Sequence, residues 1–118
     1  MSLPEAYQQA AAALNAPSRD ERLAAAHILA AGVAAGAIPP VTPTVEVNNH
    51  VHTCYSFSPH SPTSAAWAAQ RAGLQAVGIM DHDSVAGVEE MLEAVRILGI
   101  ATTAGFEIRV TFADTPFM

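Results

Sequence analysis

The chain contains no lysine; all five of its basic residues are arginines, set against eleven acidic ones, and the net charge is −6. That balance offers no basic footprint for nucleic acid. A single cysteine, Cys54, rules out an internal disulfide and fits a reducing compartment. It directly follows the richest histidine stretch but has no base beside it, so it reads as a buried thiol. No basic-then-apolar leader is visible, and no apolar run reaches the roughly 20 residues of a membrane span. The expectation is therefore a cytoplasmic protein without a membrane partner. Disorder is excluded in turn, because 51% of its 118 residues are hydrophobic, enough for a core.

What is present divides the chain. Residues 1–38 form a helical N-terminal segment with two alanine-rich helices, the first over 4–16. Ser18 and Glu21 make a capping box that opens the second, which runs to about 35. That helix is apolar nearly all round and needs cover on more than one side. Its His27 reads as a packed or surface histidine rather than a ligand. Three prolines at 39, 40 and 43 make residues 39–44 an extended linker.

From residue 45 the pattern changes to alternating strands and helices. Val45-Glu46-Val47-Asn48-Asn49-His50-Val51-His52 alternates with period two. One face then carries Val45, Val47 and Val51, and the other Glu46, Asn48, His50 and His52. Two imidazoles adjacent on one strand face can hold a cation between them. Ser61-Pro62 opens a helix that ends at Gly73. A second strand over 74–80 leads into Asp81-His82-Asp83. In the next helix Val88, Met91, Leu92, Val95 and Leu98 form the apolar face, with Glu89, Glu90, Glu93 and Arg96 outward and Gly99 as the stop. A third strand continues through Phe106 to Phe112, with Glu107, Arg109 and Thr111 on one face and Phe106, Ile108, Val110 and Phe112 on the other. This is an α/β order, β-α-β-α-β, with crossovers long enough for parallel strands. In such sheets sites gather at the carboxyl ends of the strands, which puts His50 and His52, Asp81 and His82, and Glu107 on one rim. A buried Glu107 with no cation would be a costly unpaired carboxylate.

The motifs His50-Val51-His52-Thr53, Gly78-Ile79-Met80-Asp81-His82-Asp83 and Gly105-Phe106-Glu107, in that order, resemble the first half of the polymerase and histidinol phosphatase (PHP) superfamily. The resemblance covers roughly residues 45–112. It implies the first three strands of a distorted (β/α)7 barrel, with residues 45–118 a partial PHP domain. It implies two or three divalent metals, zinc, manganese or iron, in the complete domain, and hydrolysis of a small phosphorylated substrate. Carried over residue by residue, His50 and His52 hold the first metal, Glu107 bridges two metals, and His82 holds the next. Where members often place a further ligand this chain has Phe57; His60 fills that role from a longer loop or is a surface histidine. Asp81 is grouped with the ligands, as a residue that orients His82 or as a cap of the following turn. Arg109 holds a substrate phosphate or pairs with Glu46. The metals would acidify a shared water, so no serine nucleophile is needed, and Ser56, Ser58 and Ser61 lack a base.

Three parallel strands cannot close a barrel. The expectation is an N-terminal fragment with an incomplete ligand set, or a chain that completes its sheet as a homo-oligomer. The alternative function is a non-catalytic PHP-like assembly module. An amidohydrolase barrel also opens with a His-x-His strand, but its usual bridge is a carboxylated lysine, which this chain cannot supply.

Overall fold

A computed structural model of the chain describes residues 3–113 and 115–117. Helix α1 (Glu5–Ala12) runs into a 3-10 turn (Ala13–Asn15), and α2 (Arg19–Ala34) follows. The Ser18 hydroxyl caps α2 by accepting from the Glu21 N–H at 3.4 Å. Strand β1 (Val47–Val51), α3 (Pro62–Arg71), β2 (Ala76–His82), α4 (Val88–Leu98) and β3 (Ala101–Glu107) then give the expected β-α-β-α-β order. The three strands form one parallel sheet with β2 in the centre. A separate antiparallel hairpin, β4 (Val110–Phe112) and β5 (Thr115–Phe117), ends the described chain. The expected facing of the Phe112 side chain, and Met118, lie outside the described residues. No helix among the described residues is long and apolar enough to cross a membrane.

One face of the sheet is covered and the other is bare. Val77 and Ile79 of β2 are buried at 1% exposure, and they join one apolar cluster with Ala66 and Trp67 of α3, Met91, Ala94 and Val95 of α4, and Leu29 of α2. The core therefore runs continuously across the proline-rich stretch, whose neighbour Ile38 is fully buried in the same cluster. That stretch is tied down by Arg71, which donates to the Pro39 carbonyl at 2.6 Å, and by the Thr44 N–H, which donates to the Gly73 carbonyl at 2.9 Å. Gly73 and Gly99 follow α3 and α4 with φ of 74° and 75°, a left-handed turn that glycine adopts at little cost.

Four expectations change. In β1 the pairing skips one residue: Asn48 lies opposite Val77, and Val51 opposite Ile79. This bulge turns Val47 to the bare face, where it is half-exposed, while Val51 packs against the core. The two valines thus do not share a face. In α4, Leu92 is exposed and Glu90 is buried at 3%, because Glu90 meets Arg22 of α2 and Thr63 of α3. Cys54 is exposed rather than buried. Finally, β3 stops at Glu107 instead of running on to residue 112. The cause is Asp83, which has φ 55° and ends β2. Its N–H donates to the Glu107 carbonyl at 2.6 Å, and its carboxylate accepts from the Arg109 N–H at 3.2 Å. With its neighbour strand ended there, the chain leaves the sheet for the hairpin.

Candidate metal centre

Because the strands are parallel, their carboxyl ends meet on one rim. His50 lies in β1 and His52 just beyond it; His82 is the last residue of β2 and Glu107 the last of β3. His82 and Glu107 are direct neighbours in the β2–β3 register. The side chains converge. Nε2 of His50 contacts Oε1 of Glu107 directly, and Nε2 of His52 is 3.7 Å from the same oxygen. Nδ1 of His82 lies 3.4 Å from the other oxygen, Oε2. The His52 and His82 rings stack with centroids 4.7 Å apart and planes 3° off parallel, while His50 meets His52 edge-on at 5.1 Å. His50, His52 and Glu107 each offer a ligand atom within 4.8 Å of the others.

The donor set fits a divalent metal. Imidazole nitrogens with a carboxylate are the ligand types of zinc, iron and manganese sites, and a carboxylate with imidazoles at both oxygens can serve two ions. Glu107 is 22% exposed and His82 19%, so the cluster is partly withdrawn from water but still open to a ligand.

Two proposed site residues face elsewhere. Asp81 is 1% exposed and lies on the covered face, opposite His82 in the strand alternation. Its Oδ1 accepts from the Thr53 N–H at 2.6 Å and its Oδ2 from the Thr53 hydroxyl at 2.7 Å. Each oxygen thus bonds to Thr53, and Asp81, on the face away from the His82 ring, fastens the loop after β1 to the end of β2. His60 is exposed, with Nδ1 3.1 Å from the Ser64 hydroxyl at the start of α3. The guanidinium of Arg109 pairs with Asp83, Nε to Oδ2 at 3.2 Å, rather than with Glu46. His27 is exposed on α2.

Sequence reasoning missed Ser56. It is 4% exposed, and its hydroxyl oxygen accepts from the His82 N–H at 2.9 Å and lies 3.2 Å from Nδ1 of His52. A ring nitrogen does stand beside this serine. The signal available in sequence was only its spacing, four residues after His52. Phe57, next in the chain, has φ 67°, is 91% exposed and sets its ring edge-on to His82 at 6.0 Å. Positive φ is strained for a bulky residue.

Comparison with known proteins decides the family. Residues 48–117 match the PHP domain. The chain belongs to the PHP domain family. Two error-prone DNA polymerases are similar to this PHP chain. That of Nocardia farcinica is 36% identical over 76 residues, or 63% of the chain, and that of Cutibacterium acnes is 34% identical over 73 residues, or 60%. The matched stretch takes up 6% of the length of each polymerase. Among solved structures, a "putative metal-dependent phosphoesterase" from Bifidobacterium adolescentis superposes with a TM-score of 0.56 at 30% identity. That match covers 64% of this PHP chain and 27% of the other. The family match and the parallel sheet agree, and His50, His52 and Glu107 form a group that could hold a metal ion.

Proposed function

We propose that this chain supplies the strand-tip ligands of a metal-dependent phosphoesterase that hydrolyses a small phosphate ester. The observation that carries the reading is the convergence of three imidazoles, from the ends of β1 and β2, on the two oxygens of Glu107. His50, His52 and Glu107 would hold one ion, and His82 with the second oxygen of Glu107 a next one. A metal bound there supplies Lewis acidity and brings the pKa of water toward neutrality. The residues do the rest. Thr53 and Asp81 fix the loop that carries His52, and the His82–Glu107 register keeps the carboxylate between the rings. Arg109, braced by Asp83 and 62% exposed, is suited to receive a phosphate oxygen at the rim. A net charge of −6 favours a small substrate over nucleic acid.

The test is metal content after loading with zinc, manganese or iron, together with hydrolysis of p-nitrophenyl phosphate and a panel of small phosphate esters. The wild-type protein should retain metal, and His50→Ala and Glu107→Ala should each lose it and lower kcat/KM by roughly 10³-fold or more. Undiminished hydrolysis in either variant overturns the reading. A second reading is an assembly module without catalysis. It is favoured by Phe57, whose apolar ring stands beside His82, and it predicts a folded wild-type protein that retains no metal.

A further inference from the structure

We infer that Ser61 is a positioning residue, through which the N-terminal segment holds the loop that carries His52 at the rim of the sheet. The loop runs from His52 to Ser61 and is drawn into a ring. The Cys54 N–H donates to the His60 carbonyl at 2.7 Å, and the Ser56 and Ser58 N–H groups donate to the Thr53 carbonyl at 2.8 and 3.3 Å. Thr53 fixes one end of that ring to Asp81 of β2. The other end is held from outside the sheet. Ser61 is 5% exposed. Its N–H donates to Oδ1 of Asn15 at 2.8 Å, and its hydroxyl donates to the Leu14 carbonyl at 2.5 Å. The same hydroxyl oxygen accepts from the Ser64 N–H at 2.9 Å. A backbone N–H can only donate and a carbonyl oxygen only accept, so the direction of each bond is fixed.

The bond from Ser64 is the N-cap of α3. The other two are not part of a cap. They reach back 46 and 47 residues to the 3-10 turn after α1. That turn is itself anchored, because Leu14 is 3% exposed in the core cluster that includes Val77 and Ile79. Asn15 makes a further link, donating to the Ser64 hydroxyl oxygen at 3.3 Å, and Nδ1 of His60 lies 3.1 Å from that oxygen. Fixed at both ends, the loop keeps Ser56 against the His52 ring and the His82 N–H. Ser18 is the contrast. It caps α2 at an exposed position outside this loop.

The effect on metal affinity rests on the proposed function; the anchoring of the loop does not. The test is hydrogen exchange of the full chain, read at the Cys54 amide and compared with the β2 amides, together with zinc titration. In Ser61→Ala, protection at Cys54 should fall about 10-fold further than in β2, and zinc affinity should weaken by about 10-fold. Ser61→Thr keeps the hydroxyl and should restore both. Ser18→Ala removes a cap elsewhere and should move neither, although it lowers the urea midpoint. Cys54 protection that falls no further than that of β2 in Ser61→Ala overturns the inference, and so does an equal loss in Ser18→Ala. A loosened loop with undiminished zinc affinity overturns it as well. If Ser61→Ala does not fold, Asn15→Ala decides, since it removes only the acceptor of the Ser61 N–H. Cys54 protection should then drop by about 3-fold with β2 unchanged, and no drop overturns the inference. A loop loosened in these variants of a protein that binds no zinc even as wild type upholds the anchor and removes the metal reading instead.

Discussion

At Asp81 a sequence motif and a structural role part company. The residue sits between Met80 and His82 in a motif rich in ligand types, yet strand alternation turns it to the covered face. There it receives two hydrogen bonds from Thr53 at 2.6 and 2.7 Å, both charge-assisted and both buried. Replacing it by alanine would leave the Thr53 N–H and hydroxyl without their partner, at a cost of about 1–3 kcal/mol. Urea unfolding of Asp81→Ala should show that loss, and Asp81→Asn, which keeps the shape, a smaller one. A direct ligand role would give the opposite pattern, with metal lost and the urea midpoint unmoved. Glu107 answers to different physics, because its carboxylate is surrounded by imidazoles rather than by backbone donors. Two acidic residues at strand ends, one anchoring a loop and one gathering rings, are told apart by the face each occupies.

Between elements, the joint that matters most is buried and ionic. Arg22 of α2 meets Glu90 of α4 through two contacts, at 2.5 and 2.9 Å, and Glu90 also accepts from the Thr63 hydroxyl at 2.7 Å at the start of α3. Arg22 additionally donates to the Ala16 and Pro17 carbonyls. Burial pushes the Glu90 carboxyl up, but the hydrogen bonds from Arg22 and Thr63 outweigh it and hold the group below the usual carboxylate range. The sign follows from linkage. The unfolded chain takes up the proton at a higher pH than the folded one, so the stabilisation is present above the unfolded carboxylate pKa. It is lost as pH falls through the folded value. The urea midpoint should therefore drop on acidification below about pH 4–5, and Glu90→Gln should lack that part of the slope. Arg22→Ala, which strands the buried carboxylate, should cost roughly 3 kcal/mol at neutral pH. An identical acid slope in wild type and Glu90→Gln would contradict this account.

This joint also marks how far sequence carried the reading. Element order, caps and stops were legible because they are local: Ser18, Ser61-Pro62, Gly73 and Gly99 each act within a turn of their own position. The clustering of His50, His52, His82 and Glu107 at the strand tips was legible for a related reason, since the parallel order alone puts strand ends together. Glu90 was not, because helical periodicity counts a glutamate as outward and the partner that draws it inward lies 68 residues away. The β1 bulge and the early end of β3 were hidden in the same way. Alternation predicted smooth strands at both places, and it was a neighbouring strand's pairing, or Asp83 seizing two backbone groups, that interrupted them.

For the molecule as a whole, coverage is one-sided. The helices bury the middle of one face of the sheet, while Val47 on the opposite face is half-exposed and Phe106, at the β3 edge of the helix side, is exposed as well. A sheet covered on one side has only that side's core to hold it, and here the core draws on the N-terminal helices as well as on α3 and α4. Leu29 of α2 is completely buried in the cluster that also contains Val77 and Ile79 of β2. Leu29→Ala should therefore cost about 2–5 kcal/mol and should weaken the strands together with the helix. Hydrogen exchange reads this directly. Protection should fall by similar factors in α2 and in the β2 amides, and thermal unfolding should remain a single transition. Loss of protection confined to residues 1–38, with β2 unchanged, would mean that the helical segment and the sheet are stabilised separately, and that the candidate metal centre does not depend on the helices packed behind it.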